Sequence, residues 1–132
     1  MQADEKSNEI INRIDGKKLK NMFISGLNLL KKQKDLIDSL NVFPVPDGDT
    51  GTNMYLTFLE GVKKIKPLSS SRVDEMTSAL SHGALMGARG NSGVILSQLL
   101  RGFSETNEGN KYMDPENIAN SLKKASQIAY QG

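Results

Sequence analysis

Apolar residues recur at intervals of three and four positions along most of the chain, and this spacing predicts about five amphipathic helices. Asp15 and Ser71 are suitable N-caps for two of them, and Gly87 marks a helix end. No segment shows the alternation of a credible strand pair, so the pattern predicts an all-α fold. The predicted helices cover residues 15–30, 52–66, 71–87, 94–103 and 114–131, with a short apolar segment at 36–40.

The apolar side of each helix is expected to face the core. Segment 94–103 is so apolar that we do not expect it to lie on a surface. Three methionines, Met54, Met76 and Met86, are expected to fill gaps in the core. The other residues of the predicted stripes are Leu19, Met22, Phe23, Leu27, Leu30, Phe58, Val62, Ile65, Leu80, Ala84, Ile118, Leu122, Ala125 and Ile128.

Charge and composition narrow the class of protein. Seventeen basic and fifteen acidic residues are interleaved along the chain, which argues against a nucleic-acid partner. There is no cysteine, so disulfides and thiolate metal sites are excluded, and we expect a cytoplasmic protein. No apolar stretch approaches the roughly twenty residues that span a bilayer. Residues 1–8 are expected to be a flexible tail, followed by one domain at 9–132.

The segment DGDTG, residues 47–51, is the first candidate for chemistry. Pro44 and Pro46 precede it and should hold the backbone extended. In extended backbone the side chains of Asp47 and Asp49 point to the same side. Carboxylate oxygens are the protein ligands that Mg²⁺ prefers, with phosphate and water completing its shell. The glycines would allow backbone conformations that other residues resist, so this segment predicts a cation site.

A structural interpretation of the same segment stays open. Asp49 could cap the following helix and Asp47 could form an Asx-turn, which are both common uses of aspartate. An EF-hand is excluded, because the sixth and twelfth positions counted from Asp47 are Thr52 and Phe58 where glycine and glutamate are required.

The second candidate is the glycine-rich turn GARGNSG, residues 87–93, between two apolar helices. Such a turn can present backbone amides and a helix N-terminus to an anion, and Asn91 and Ser92 can add side-chain hydrogen bonds. It lacks the GK[ST] of a Walker loop and does not follow a strand as a dinucleotide motif does. The alternative is a helix end followed by a tight turn between closely packed helices.

Together the two segments could form the halves of a metal-phosphate site. Arg89 could bind a phosphate, although a surface role or a helix-end ion pair is the more common use of such an arginine. His82 is the only histidine and could act as a base, but a packed or solvated role is again more common.

The stretches NVFPVPDGDTGTNM and ALMGARGNSGVILSQLLRGF resemble the nucleotide-binding domain of the bacterial fatty acid kinase A subunit, which is related to the L subunit of dihydroxyacetone kinases. The resemblance covers Asp15 to Gln131. It implies an antiparallel helical barrel or bundle that holds ATP at one end. It also implies that Asp47 and Asp49 bind Mg²⁺. Residues near the nucleotide would be Thr52, Asn53, Gly90, Asn91, Ser92 and Gly93.

The sequence departs from this family in two respects. A third aspartate of the dihydroxyacetone kinases has Asn41 as its nearest counterpart, which makes Asn41 a neutral candidate metal ligand. The family domain also continues with further helices, including a glycine-rich stretch, whereas this sequence stops at Gly132. We therefore expect an incomplete barrel that exposes the apolar face of 94–103 and favours a homodimer.

The resemblance implies a kinase that transfers phosphate from ATP to a fatty acid carboxylate, giving an acyl phosphate. The acid would be presented by a separate lipid-binding protein, which engages regions outside this sequence. A dihydroxyacetone kinase is the alternative within the class. A nucleotide-binding module without turnover and a purely structural helical domain are the alternatives outside it.

Overall fold

Five α-helices account for most of the residues that the computed structural model describes, which are 12–42 and 46–131. The predicted all-α fold with about five helices is therefore confirmed, while the predicted tail at 1–8 lies outside the described residues. No described helix is long and apolar enough to cross a membrane. The elements are β1 (Ile14–Asp15), α1 (Gly16–Leu40), α2 (Thr50–Ile65), α3 (Val73–Met86), α4 (Gly90–Thr106), β2 (Tyr112–Met113) and α5 (Pro115–Gln131).

A two-residue antiparallel strand pair joins the start of α1 to the start of α5. Ile14 pairs with Met113, and Asp15 pairs with Tyr112. We expected no strand pair, and this small one escapes sequence reasoning because two residues are too few to show a period. The pair fixes both helix starts on the same side of the bundle.

Helix α1 begins as the sequence predicts but runs further. The Asp15 carboxylate accepts a hydrogen bond from the Lys18 amide at 2.8 Å, which confirms it as the N-cap. The apolar segment 36–40 belongs to the same helix, because no proline or glycine interrupts the lysine-rich stretch before it. Met22 is exposed and was wrongly placed in the buried stripe.

Consecutive helices in this bundle pack antiparallel, and glycines set their closest approaches. Gly51, near the start of α2, faces the Lys34 carbonyl near the end of α1. At the α4–α5 contact, a Cβ on Gly102 would lie 2.6 Å from the Ala125 Cα. Because glycine has no Cβ, these backbones approach one another more closely than any other residue type would allow.

The core lies among α1, α2, α3 and the strand pair. Three aromatic rings from α1, α2 and α4 meet at its edge: Phe23 contacts Phe58 and Phe103 edge to face, with centroids 6.2 and 6.3 Å apart. Met76 fills the core as predicted. The buried residues of this cluster are Leu19, Leu27, Val62, Ile65, Val73, Met76, Leu80 and Met113.

The start of α3 differs from the prediction. Arg72, not Ser71, occupies the N-cap position, and its side chain makes no capping bond. Instead, the Val73 amide donates to the Lys111 carbonyl at 3.1 Å and the Asp74 amide donates to the Asn110 carbonyl at 2.9 Å. A loop distant in sequence thus satisfies the first amides of α3, which a serine cap would otherwise do.

Besides Met22, further apolar residues predicted to be buried are exposed. Ile95 is 53% exposed and Leu122 is 60% exposed, while Met86 at the end of α3 is 74% exposed. For Ile95 and Leu122 the cause is that α4 and α5 bury small residues rather than large ones. Their buried positions are Gly93, Ser97, Gly102, Ser121 and Ala125.

The bidentate ion pair between Arg72 and Asp74 predicts a pH-dependent contribution to stability. The guanidinium donates to both carboxylate oxygens, at 2.9 and 3.0 Å, and lowers the pKa of Asp74 below its ordinary value of 3.8. The contribution is therefore present above the unfolded pKa and is lost as the pH falls through the folded one. We expect the difference in unfolding free energy between the parent and Asp74→Asn to be constant above about pH 5 and to shrink below about pH 4.

Urea unfolding across this pH range checks the expectation. Arg72→Gln removes the main donor, so in that background Asp74→Asn should show a clearly weaker pH dependence. A difference that persists unchanged to the lowest pH would contradict the role of the pair.

Candidate functional site

The N-termini of α2 and α4 lie side by side, and the two helices run parallel. Gly90 faces the side chain of Asn53, and one turn later Gly93 faces the Thr57 hydroxyl, so closely that a Cβ on either glycine would collide with its neighbour. The Ser92 hydroxyl donates to the Thr50 carbonyl at 3.2 Å. The structure therefore brings together the two motifs that the sequence singled out, although about forty residues separate them.

The DGDTG segment is a turn at its centre rather than extended backbone. Gly48 has φ +63°, in the left-handed region that favours glycine, and Asp49 has φ −129° and ψ 3°. The predicted extended conformation is thus wrong for these two residues, while Pro44 lies outside the described residues. Gly51 is helical and serves close packing against α1, not a special backbone conformation.

Two side chains from the end of α1 hold the start of α2. Asp38 Oδ1 accepts from the Thr52 amide at 2.9 Å, and Asp38 Oδ2 accepts from the Thr52 hydroxyl. Asn41 Oδ1 accepts from the amides of Asp49 and Thr50, at 3.1 and 3.3 Å. These bonds satisfy several amides that a helix start normally leaves without a partner.

Sequence reasoning missed Asp38 altogether. The bond from the Thr52 hydroxyl lowers the pKa of this carboxyl below its ordinary value of 3.8, so it is ionised at neutral pH. One signal was visible: Asp38 lies in the last turn of a helix, where the helix dipole disfavours an anion. A carboxylate in that position suggests a partner from another element.

Asp47 and Asp49 are exposed, and their carboxylates accept no hydrogen bond from the described residues. Asp49 occupies the N-cap position of α2, yet its side chain makes no capping bond. The structural interpretation of Asp49 as a side-chain cap therefore does not hold. Within the described part of the chain, no three acidic, histidine or cysteine residues form a metal cluster. The remaining ligands of a cation at Asp47 and Asp49 would have to come from elsewhere, as phosphate and water do for Mg²⁺.

The start of α4 differs from that of α2, because its first amides have no partner among the described residues. Arg89 occupies the N-cap position without a side-chain bond, and the first backbone bond runs from the Gly93 amide to the Arg89 carbonyl at 3.1 Å. The amides of Gly90, Asn91 and Ser92 precede that bond and make none to the described residues. They lie at the positive end of the helix dipole, which favours an anion.

The glycine-rich turn also has a structural role. Gly87 ends α3, and its amide donates to the Gly83 carbonyl at 3.0 Å, as a helix-end glycine was predicted to do. Gly90 has φ +66°, which a residue with a side chain rarely adopts. The buried Thr57 supports the turn, because its hydroxyl accepts from the Arg89 amide at 3.1 Å. Thr57 was not predicted as part of the site.

The two further candidates lie at the periphery. Arg89 is exposed, and its guanidinium makes no hydrogen bond to the described residues, whereas its backbone amide donates to Thr57. His82 is exposed too, and it borders a surface cavity of about 750 Å³ between α3 and the end of α4. That cavity is lined by Asp74, Glu75, Glu105 and Glu108 among others, and none of the predicted nucleotide or metal residues lines it.

Comparison with known proteins places the chain in a family. Residues 44–132 match the model of the DAK2 domain. The chain is 48% identical over 122 residues to proteins of Staphylococcus epidermidis and Staphylococcus saprophyticus, and 46% identical to one of Staphylococcus aureus, all described only as uncharacterized. Each match covers 92% of this chain but 22% of the relative, so the chain spans about a fifth of their length. The chain therefore belongs to the DAK2 domain family, a family of dihydroxyacetone-kinase-like domains.

Proposed function

We propose that this chain is the Mg-ATP-binding domain of a cytoplasmic kinase that phosphorylates a fatty acid carboxylate. The observation that carries the proposal is the contact between the starts of α2 and α4. That contact sets three amides, which have no partner among the described residues, next to a turn with two exposed carboxylates. An anion site beside a cation site is what a metal-nucleotide complex requires.

The residues present fit such a complex. Asp47 and Asp49 would hold Mg²⁺, and the amides of Gly90, Asn91 and Ser92 would hold phosphate oxygens. Gly90 has no Cβ, and this leaves free the space beside Asn53 that a Cβ would fill.

Asn41 is a weaker candidate ligand than the two aspartates. Its side-chain oxygen already accepts bonds from two amides, and binding a cation would weaken at least one of them.

Catalysis at this site would consist of positioning and charge neutralisation. When bound, Mg²⁺ would supply positive charge that offsets the negative charge of the phosphates. The chain's own part is to fix the phosphate chain: the α4 amides orient it, and the Ser92 bond to Thr50 holds α4 against α2. A carboxylate acceptor is already a nucleophile, so it needs no general base from the protein.

The fatty acid acceptor rests on the two long motifs that resemble the fatty acid kinase A subunit, and dihydroxyacetone is the alternative that the DAK2 family supports. We propose that a lipid-binding protein presents the acid, as the same resemblance implies, to regions outside this chain, which spans only about a fifth of the length of its relatives. Exposed Val94 and Ile95 on α4 offer an apolar surface for self-association as a homodimer.

Replacing Gly90 tests the phosphate part of this site. A methyl at Gly90 would meet Asn53 and would disfavour φ +66°, so the start of α4 must shift. We expect Gly90→Ala to weaken ATP binding at least about tenfold, a loss of about 1.4 kcal/mol, when measured by isothermal titration calorimetry with Mg²⁺.

Gly109→Ala is the matched control. Gly109 also has a positive φ, +82°, but no atom lies within 4 Å of a Cβ there. It should lose similar stability through backbone strain and keep the parent's ATP affinity. Equal affinities in all three proteins, or no binding by a folded parent, would refute the phosphate site.

The acceptor is tested with the full-length protein and ATP labelled at the γ-phosphate. Transfer of label to a fatty acid on its carrier, with none to dihydroxyacetone, is the expected result. The reverse preference would replace the proposed acceptor, and nucleotide binding without transfer to either would favour the non-catalytic module.

A further inference from the structure

Asp38 connects the end of α1 to the start of α2, next to the proposed cation site. It lies outside both the DGDTG segment and the glycine-rich turn. It lies in the last turn of α1, which has no basic residue to offset its charge. The negative charge of Asp38 is stabilised by another helix, because both carboxylate oxygens accept hydrogen bonds from Thr52 at the start of α2. The carboxylate thus takes the position that a capping side chain of α2 itself would usually fill.

This arrangement changes what Asp49 is able to do. Asp49 occupies the N-cap position, where the carboxylate of an aspartate usually accepts hydrogen bonds from backbone amides of the first turn. Here the Thr52 amide is bonded to Asp38, and the Thr50 amide is bonded to Asn41. The Asp49 side chain makes no capping bond.

The turn itself is also anchored on the end of α1. The Asp38 carbonyl accepts from the Asn41 amide at 3.1 Å, and Asn41 in turn accepts from the Asp49 amide. A Cβ on Gly48 would lie 3.7 Å from the same Asp38 carbonyl. Gly51 allows the close approach of the two helices at this point, because a Cβ there would collide with the Lys34 carbonyl. The conformation of residues 47–49 therefore depends on contacts with the last two turns of α1.

We propose that Asp38 is a positioning residue, which caps α2 in place of Asp49 and so keeps the Asp49 carboxylate available for a cation. Only the second part of this inference, that the Asp49 carboxylate is kept available for a cation, rests on the proposed function. The first half, that Asp38 sets the conformation of the turn, holds with or without a metal. The residue does not touch the cation or the nucleotide; it acts through Thr52 and the turn.

The experiment compares Asp38→Ala with Asp35→Ala, which removes the same charge one turn earlier from a side chain that is 87% exposed. In the absence of metal, amide hydrogen exchange is measured by NMR at Asp49, Thr50 and Thr52. Binding of Mn²⁺ in the presence of ATP is then followed by electron paramagnetic resonance, and the weaker binding of ATP without metal is followed by calorimetry at high ATP concentration.

Asp38→Ala should speed exchange at the Thr52 amide and weaken Mn²⁺ binding about tenfold or more, the usual effect of losing an outer-shell partner. ATP alone should bind within about twofold of the parent, because Asp38 makes no bond to α4. Asp35→Ala should match the parent in each measurement. A purely structural role for Asp38 would weaken metal and ATP binding together and would overturn the proposal.

Asp38→Asn is the conservative variant, and it keeps the test decisive if Asp38→Ala fails to fold. Its carbonyl still accepts from the Thr52 amide, so exchange should stay slow and Mn²⁺ affinity should fall by less than in Asp38→Ala. Unchanged exchange at Thr52 in Asp38→Ala would overturn the inference, as would equal Mn²⁺ affinity in Asp38→Ala and Asp35→Ala. If the parent binds no Mn²⁺ with ATP, the proposed function fails, and the exchange data alone decide whether Asp38 holds the turn.

Discussion

Mg-ATP is expected to raise the midpoint temperature of unfolding by several degrees, and a variant carrying Asp47→Ala and Asp49→Ala should lose that rise. A ligand that binds only the native state at one hundred times its dissociation constant adds about 2.7 kcal/mol to stability. For a domain of this size, that free energy corresponds to several degrees. The rise should depend on Mg²⁺, because two carboxylates and a nucleotide phosphate repel one another unless a cation lies between them.

The control removes the same charge from two exposed residues whose side chains make no bond to residues 47–49, in a variant with Asp35→Ala and Glu108→Ala. It should respond to Mg-ATP as the parent does. Differential scanning fluorimetry with ATP alone, Mg²⁺ alone and both together separates the contributions. An equal rise in the double aspartate variant would mean that the nucleotide binds without these residues. No rise in a folded parent would favour the structural role for this chain.

Gly102→Ala should destabilise the fold by about 2–3 kcal/mol, a large effect for one methyl group. A Cβ there would lie 2.6 Å from the Ala125 Cα and 2.7 Å from the Lys124 carbonyl oxygen. Backbone atoms of a packed helix cannot rotate away as a flexible side chain does. Helix α5 would have to move outward along its whole contact with α4.

Gly26→Ala provides the matched control, because it makes the same change within a helix where the nearest atom is 3.7 Å from the new Cβ. Alanine is the better helix former, so this variant should be about 0.5–1 kcal/mol more stable than the parent. Chemical denaturation of the three proteins measures both changes. If Gly102→Ala and Gly26→Ala are both destabilised, backbone flexibility rather than packing is the reason for these glycines. If both are stabilised, the close α4–α5 contact is contradicted.

These two glycines show where sequence reasoning stops. Both stand inside helices with similar apolar surroundings, and nothing local distinguishes them. Gly102 is essential to a helix contact and Gly26 is not, because α5 crosses α4 at Gly102, while Gly26 faces only a side chain of α2. The same reason explains why the buried face of α4 was mispredicted: glycine and serine form it, and apolar Ile95 lies outside.

Some features were determined by the sequence itself, because they depend on neighbouring residues. The number of helices follows from apolar spacing, the Asp15 cap from a bond three residues away, and the end of α3 from a glycine. Both site motifs were visible for the same reason, since each is a short run of unusual residues. Local hydrogen bonds and local periodicity are encoded within a few positions.

Only the tertiary structure decided how those parts combine. The parallel packing of α2 and α4 joins two motifs some forty residues apart, and the loop at residues 110–111 replaces the expected Ser71 cap. Asp38 became part of the site because the last turn of α1 ends beside the first turn of α2. The physical reason is common to all three: a polar group forms a hydrogen bond with whichever partner packing brings within reach, and that partner need not be near in sequence.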